Sequence, residues 1–181
     1  MIRLFVAIPL PEAVRVRLST LQSGLQGARW IKPENIHLTL RFIGEVRNDL
    51  ASDIDMALAK ITGPPFELAL EGVNSFSRGK QPHALWVGVA KSNPLIQLQA
   101  KIESTLVRAG LEAEARNFSP HITVARLKKM RPNRVEVWAA EHGAFQTAPF
   151  AVDRFVLFSS FLKPDGALYI EEAGYPLEPS S

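Results

Sequence analysis

The stretch "IHLTLRFI", residues 36–43, returns as "HITVARL", residues 121–127. Both contain His–apolar–Thr–apolar, and both alternate as a strand does when one face is buried and the other open. Side chains two apart share a face, so His37, Thr39 and Arg41 point one way while Leu38, Leu40 and Phe42 point the other. In the second copy His121 and Thr123 oppose Ile122 and Val124. One exposed His-x-Thr is weak evidence of anything. Two with apolar flanks, in a chain with four histidines, would arise by chance roughly once in a hundred or less.

Working outward, each motif closes a similar run of elements. "IRLFVAI" (2–8) reads as a β-branched and aromatic strand stopped by Pro9. From Pro11 a helix follows with Val14, Leu18, Leu21 and Leu25 on one face, ended by Gly24 and Gly27. "ALWVGVA" (84–90) is a second apolar strand, and Pro94 opens a helix with Leu95, Leu98, Ile102 and Leu106 on one face, closed by Gly110. Strand, proline-started helix, loop and His-Thr strand recur in the same order, the mark of an internal duplication. Residues 49–61 form an amphipathic helix, 66–76 and 150–162 alternate as strands, "ALYIEEA" (167–173) closes a sheet, and 131–142 make a short helix around Val135 and Trp138. The expected fold class is α+β: one bilobal domain over 1–176, two pseudo-symmetric antiparallel-sheet lobes with helices outside and a central cleft, then a short tail, 177–181.

Composition sets limits. The chain has 181 residues, long enough for a substantial core, and 22% charged residues with a net charge of +3. A pI near 9.4 tilts it toward anionic partners. With no cysteine, disulfides and thiolate metal sites are excluded. No apolar run approaches the ~20 residues of a membrane span. "MIRLFVAIPLPEAV" is broken by Pro9 and Pro11 where a signal peptide would stay apolar. A cytoplasmic protein with no membrane partner is expected.

Approximate two-fold symmetry would let the two His-Thr faces look at each other across the cleft. In-line displacement at phosphorus wants that geometry. One neutral imidazole takes the proton of the attacking hydroxyl, and the other, protonated, gives one to the departing oxygen. Thr39 and Thr123 can donate to the non-bridging oxygens, where charge accumulates. Neither metal nor cofactor is called for, and a two-His metal site lacks a carboxylate partner, Glu45 and Asp49 standing on the exit turn. A non-catalytic RNA-binding module would be served better by Arg or Lys than by paired His and Thr.

"HLTL" and "HITV" resemble the paired motifs of the two-histidine (2H) phosphoesterase superfamily. "RLFVAIPLP", "HLTLRFIGEV" and "PHITVAR" are similar, more narrowly, to its bacterial and archaeal RNA 2′,3′-cyclic phosphodiesterases, historically named 2′-5′ RNA ligases. The resemblance runs from Ile2 to about Tyr175. It implies a bilobal α+β fold with a pseudo-two-fold cleft, and hydrolysis of a terminal 2′,3′-cyclic phosphate to a 2′-phosphomonoester. It implies His37 as proton donor to the leaving 3′-oxygen and His121 as proton acceptor from water, although the symmetry of the motifs permits the reverse. RNA ending in a 2′,3′-cyclic phosphate, tRNA fragments among it, is the implied partner, and a monomer is expected. Alternatives within the fold are 2′-5′ RNA joining and cleavage of 2′-5′ or nucleotide cyclic phosphodiesters; no ATP-binding glycine loop supports energy-coupled ligation.

Arg126 matches a phosphate-contacting arginine of similar proteins, yet strict alternation puts it opposite His121, so a bulge must turn it inward. Arg41, on the face of His37 by alternation, is a further candidate for substrate contact, as are Phe42 and Phe118. For Phe5, Trp30, Phe42, Trp86 and Phe118, core packing is the commoner job, and Phe118 is the first place to look for a base platform. His83, beside Pro82 in a loop, and His142, before Gly143, read as surface residues. "LKKMRPNR" (127–134) and, more weakly, "RGKQ" (78–81) are basic runs suited to guiding an RNA backbone.

Overall fold

The computed structural model describes residues 1–179. In chain order the elements are β1 (Ile2–Pro9), α1 (Glu12–Ser19), β2 (Arg29–Trp30), β3 (His37–Val46), α2 (Asn48–Leu58), β4 (Phe66–Leu68), β5 (Leu70–Arg78), β6 (Gln81–Val89), α3 (Asn93–Arg108), β7 (His121–Arg126), α4 (Pro132–Glu141), β8 (Phe150–Val152), β9 (Arg154–Lys163) and β10 (Gly166–Pro176). No helix among the described residues is long and apolar enough to cross a membrane.

The α+β expectation holds, and two four-stranded sheets repeat one arrangement. Lobe 1 is a sheet ordered β10-β9-β1-β3 and lobe 2 a sheet ordered β2-β7-β6-β5. In each, the first strand of the repeat (β1, β6) lies antiparallel against the His-Thr strand (β3, β7) on one side and a later or earlier strand (β9, β5) on the other. Leu4, Val6, Ile8, Leu38 and Leu40 of lobe 1 and Leu85, Val87, Ile122 and Val124 of lobe 2 enter one continuous core with the helices' apolar faces. In α3, Ser92 caps the N-terminus by accepting from the Leu95 N–H (3.2 Å), with Pro94 in the first turn. Gly110, at φ +116°, lets the chain leave the helix in a conformation other residues resist.

Several boundaries differ from the sequence expectation. α1 stops at Ser19 rather than running on toward Gly24, because Ser19 and Thr20 turn their hydroxyls back onto the Val16 and Arg17 carbonyls. Leu21 and Leu25 are buried all the same, from an irregular turn. The strands expected at 66–76 and 150–162 are each broken. Their first three residues, β4 and β8, peel off and pair with each other, leaving β5 and β9 to the two sheets. His83 lies inside β6, not in a loop. Beyond β10, Leu177 is buried and Glu178 bonds to the Gly63 carbonyl (2.9 Å), so the tail expected from residue 177 is held at its start. Ser180 and Ser181 lie outside the described residues.

Candidate active site

β3 and β7 approach within 8 Å (Cα–Cα), where the two sheets meet. Both motifs break their alternation at the same point. Between Val6 and Ala7 the partners on β3 jump from Arg41 to Thr39, and between Leu85 and Trp86 the partners on β7 jump from Ala125 to Thr123. Each is a β-bulge with the extra residue directly after the threonine, Leu40 in one lobe and Val124 in the other. A glutamine amide reaches each bulge carbonyl: Gln99 to Leu40 O (3.2 Å) and Gln22 to Val124 O (3.1 Å). Backbone groups displaced from the ladder are thus satisfied by side chains.

The bulge decides which side chains face the cleft. In lobe 2 it buries Val124 and Ala125 together, and exposed Arg126 returns to the face of His121 and Thr123. That is the turn the sequence required of Arg126. In lobe 1 the same device buries Leu40 and Arg41, and Phe42, 65% exposed, takes the place on the face of His37 and Thr39. Arg41 is therefore corrected. It is 9% exposed, ion-paired with Glu103, and donates to the carbonyls of Phe42 and Glu112 (2.6 Å each). Its guanidinium holds the Glu103 carboxyl below the usual range, and Glu103 also accepts from the Glu114 N–H (2.9 Å). The residue clamps β3 to α3 and to the loop leading to the second motif.

His37 sits half-buried in an aromatic pocket. Phe5 stacks on it at 4.9 Å between centroids, Phe158 lies parallel at 5.9 Å, and Tyr169 meets it edge-on at 5.3 Å. Burial pushes its pKa down from 6.5 to about 4, against a hydrogen bond to the Asn35 backbone that raises it. The imidazole is neutral at pH 7 when nothing charged is bound. His121 is held by Nδ1 against the Ser119 carbonyl (2.8 Å), leaving Nε2 for chemistry. Phe76 packs edge-on to it at 4.8 Å, and Trp86 lies at 5.9 Å. The Trp86 Nε1–H is buried with no partner among the described residues. Gly88 stands opposite His121, and a Cβ there would lie 2.6 Å from the Glu71 carbonyl, so only glycine lets β5 pass so close behind the motif.

Tyr169, Phe158 and Phe76 were not singled out from the sequence. Their strands alternate, but which distant strand lies beside the histidines is a matter of pairing that no local pattern carries. Tyr169 links the lobes: burial raises its pKa, and the positive charge of Arg126 across the cleft draws it back. Phe118, the first expected base platform, instead packs against the core. Trp30 joins Trp138 (6.2 Å), and His142 lies on Trp138 at the end of α4 (4.9 Å). His83 stacks on Phe76 at 6.3 Å. Among the described residues no three His, Cys, Asp or Glu gather as metal ligands would.

Two pseudo-symmetric antiparallel lobes, each turning a His-Thr strand toward the other, define a bilobal α+β protein of the two-histidine type. A family model described as the 2′-5′ RNA ligase superfamily matches residues 10–160, and the chain belongs to that superfamily. It is 35% identical over 173 residues to the RNA 2′,3′-cyclic phosphodiesterase of Thermotoga maritima, covering 92% of this chain and 91% of that one. To the protein of the same name from Archaeoglobus fulgidus it is 30% identical over 170 residues, covering 92% and 96%. Among solved structures it is similar to E. coli LigT in apo form, with a TM-score of 0.81 at 25% identity over 98% of each chain.

Proposed function

We propose that this protein hydrolyses 2′,3′-cyclic phosphate ends of RNA to 2′-phosphomonoesters without a metal. The observation that supports the reading is the matched pair of bulged His-Thr strands, which approach each other where the two sheets meet, in a chain whose curated relatives bear the name RNA 2′,3′-cyclic phosphodiesterase. Water attacks phosphorus in line with the 3′-oxygen. His121 Nε2 takes the proton from water as the new P–O bond forms, and His37 gives a proton to O3′ as the P–O3′ bond breaks. Thr39, Thr123 and Arg126 hold the non-bridging oxygens. A pKa near 4 leaves free His37 unprotonated at pH 7, so its proton arrives with the anionic substrate, whose charge favours the imidazolium.

The test is direct. The purified protein, in EDTA, is given a short RNA ending in a 2′,3′-cyclic phosphate, and the product is mapped. A 2′-phosphate is expected. A 3′-phosphate, or no turnover, defeats the reading.

A further inference from the structure

Lobe 2 carries a feature that terminal-phosphate hydrolysis does not use. Arg29 of β2 lies directly opposite Arg126 of β7. Opposed residues share a face, and the next pair, Trp30 and Ala125, turns inward toward Trp138 and the core. Arg29 and Arg126 therefore stand together on the cleft side, both exposed. Like charges directly opposed on neighbouring strands repel and destabilise the pair. Among the described residues neither arginine has an acidic partner, whereas Arg3, Arg47 and Arg154 elsewhere pair with Glu45, Asp49 and Glu171.

The chain extends this patch. Leu127 N–H donates to the His83 carbonyl (2.9 Å) and the Gln81 amide to the Met130 carbonyl (3.1 Å). The turn after β7 thus folds back along the start of β6, beside the hairpin that carries Arg78 and Lys80. Lys128, Lys129 and Arg131 are exposed on it, while Leu127 and Met130 anchor it in the core. Lys129 has φ +52°, a left-handed conformation that residues other than glycine seldom adopt. Residues 13–33, 72–102 and 115–135, which build β2, β6, β7 and nearly all of β5, contain neither Asp nor Glu. An unbalanced cationic surface that continues from a phosphate-handling cleft fits a polyanion of regular charge spacing.

We infer that Arg29, Lys128 and Lys129, continuing from Arg126, form a track for the ribose-phosphate backbone on the 5′ side of the reacting end, so that the enzyme prefers oligonucleotide over mononucleotide cyclic phosphates. This rests on the proposed activity for its kinetic half and on binding alone for the other. The variant Arg29→Ala/Lys128→Ala/Lys129→Ala, with melting temperature as the folding control, is compared with the native protein on two substrates. These are a ten-nucleotide RNA ending in a 2′,3′-cyclic phosphate and the corresponding mononucleoside 2′,3′-cyclic phosphate. KM for the decamer should rise about tenfold or more while the mononucleotide changes less than twofold. Equal loss on both, or none on the decamer, overturns the track.

Anisotropy with a labelled decamer ending in a 3′-hydroxyl supplies the arm that needs no hydrolysis. Removing three cations should lower the slope of log affinity against log salt by about 2. If the native protein hydrolyses neither substrate yet the slope falls, the proposed activity fails and the track stands. If hydrolysis proceeds and the slope is unchanged, the track fails and the activity stands.

Discussion

Five residues past its histidine, lobe 1 presents Phe42 and lobe 2 presents Arg126. One residue earlier, lobe 1 buries Arg41 where lobe 2 buries Ala125. The two His-Thr strands share the bulge after the threonine and a glutamine that reaches its carbonyl, and the side chains hung on them have diverged. One wall is aromatic, with Phe5, Phe158 and Tyr169 around His37. The other sets Phe76 and Trp86 beside His121 and adds the cations Arg126 and Arg29 beyond Thr123. A symmetric frame has become two unlike walls, as a substrate with a sugar and base on one side of phosphorus and anionic oxygens on the other requires.

The largest expected effect tests whether the two imidazoles do different work. His37→Ala and His121→Ala should each lower kcat on a cyclic phosphate at least about 100-fold. A phosphodiester with a 4-nitrophenolate leaving group needs no proton on departure. On it the His37 variant should recover most of its loss and the His121 variant should not. Recovery confined to the His121 variant would exchange the two roles.

Next in size is the clamp that lobe 2 lacks. Arg41→Ala leaves Glu103 without its cation and two carbonyls without their donor, which should cost about 2–4 kcal/mol in urea unfolding. Arg41→Lys should recover little, since one ammonium cannot serve the carboxylate and both carbonyls in the geometry of a planar fork. A cost below about 0.5 kcal/mol would mean the pair is not what ties β3 to α3.

The bulges give a finer contrast. The Val124 carbonyl accepts from the Ile31 N–H (2.9 Å) as well as from Gln22, whereas a Gln99 amide is the side-chain donor at Leu40. Gln99→Leu should lose about 1 kcal/mol of stability, and Gln22→Leu at least as much, because the Gln22 amide also donates to the Ile31 carbonyl (2.8 Å). The Gln99 variant should also lose more kcat than affinity, because a shifted bulge moves Thr39 and Phe42 relative to His37. An unchanged kcat in the Gln99 variant would show that its amide does not set the bulge.

These elements also mark where sequence reading reached. Alternation placed His37, Thr39, His121 and Thr123 on shared faces because each strand must bury leucine, isoleucine or valine on its other side. The same rule misplaced Arg41 and Phe42, since one inserted residue inverts every side chain after it, and nothing in "HLTLRF" marks Leu40 as the insertion. For Arg126 a bulge was demanded by its expected role, and the demand was met. The split of 66–76 and 150–162 was illegible for another reason: β4 and β8 leave their sheets to pair with each other, a choice made by strands eighty residues apart.

The last contrast concerns acid. His37 has a folded pKa of about 4 against 6.5 when unfolded. Between those values the unfolded chain binds a proton that the native protein refuses, so this residue's contribution to stability falls as pH drops from above 6.5 toward 4. His37→Gln removes that proton from the balance, and its unfolding free energy should decline less than the native protein's between pH 7 and pH 5. The carboxylates whose folded pKa is lowered, Glu103, Asp49 and Asp165, act mainly below that window, which leaves the comparison to the histidine. Parallel stability curves for the two proteins would mean that the aromatic pocket does not hold His37 neutral. The acid role would then depend less on a bound anion.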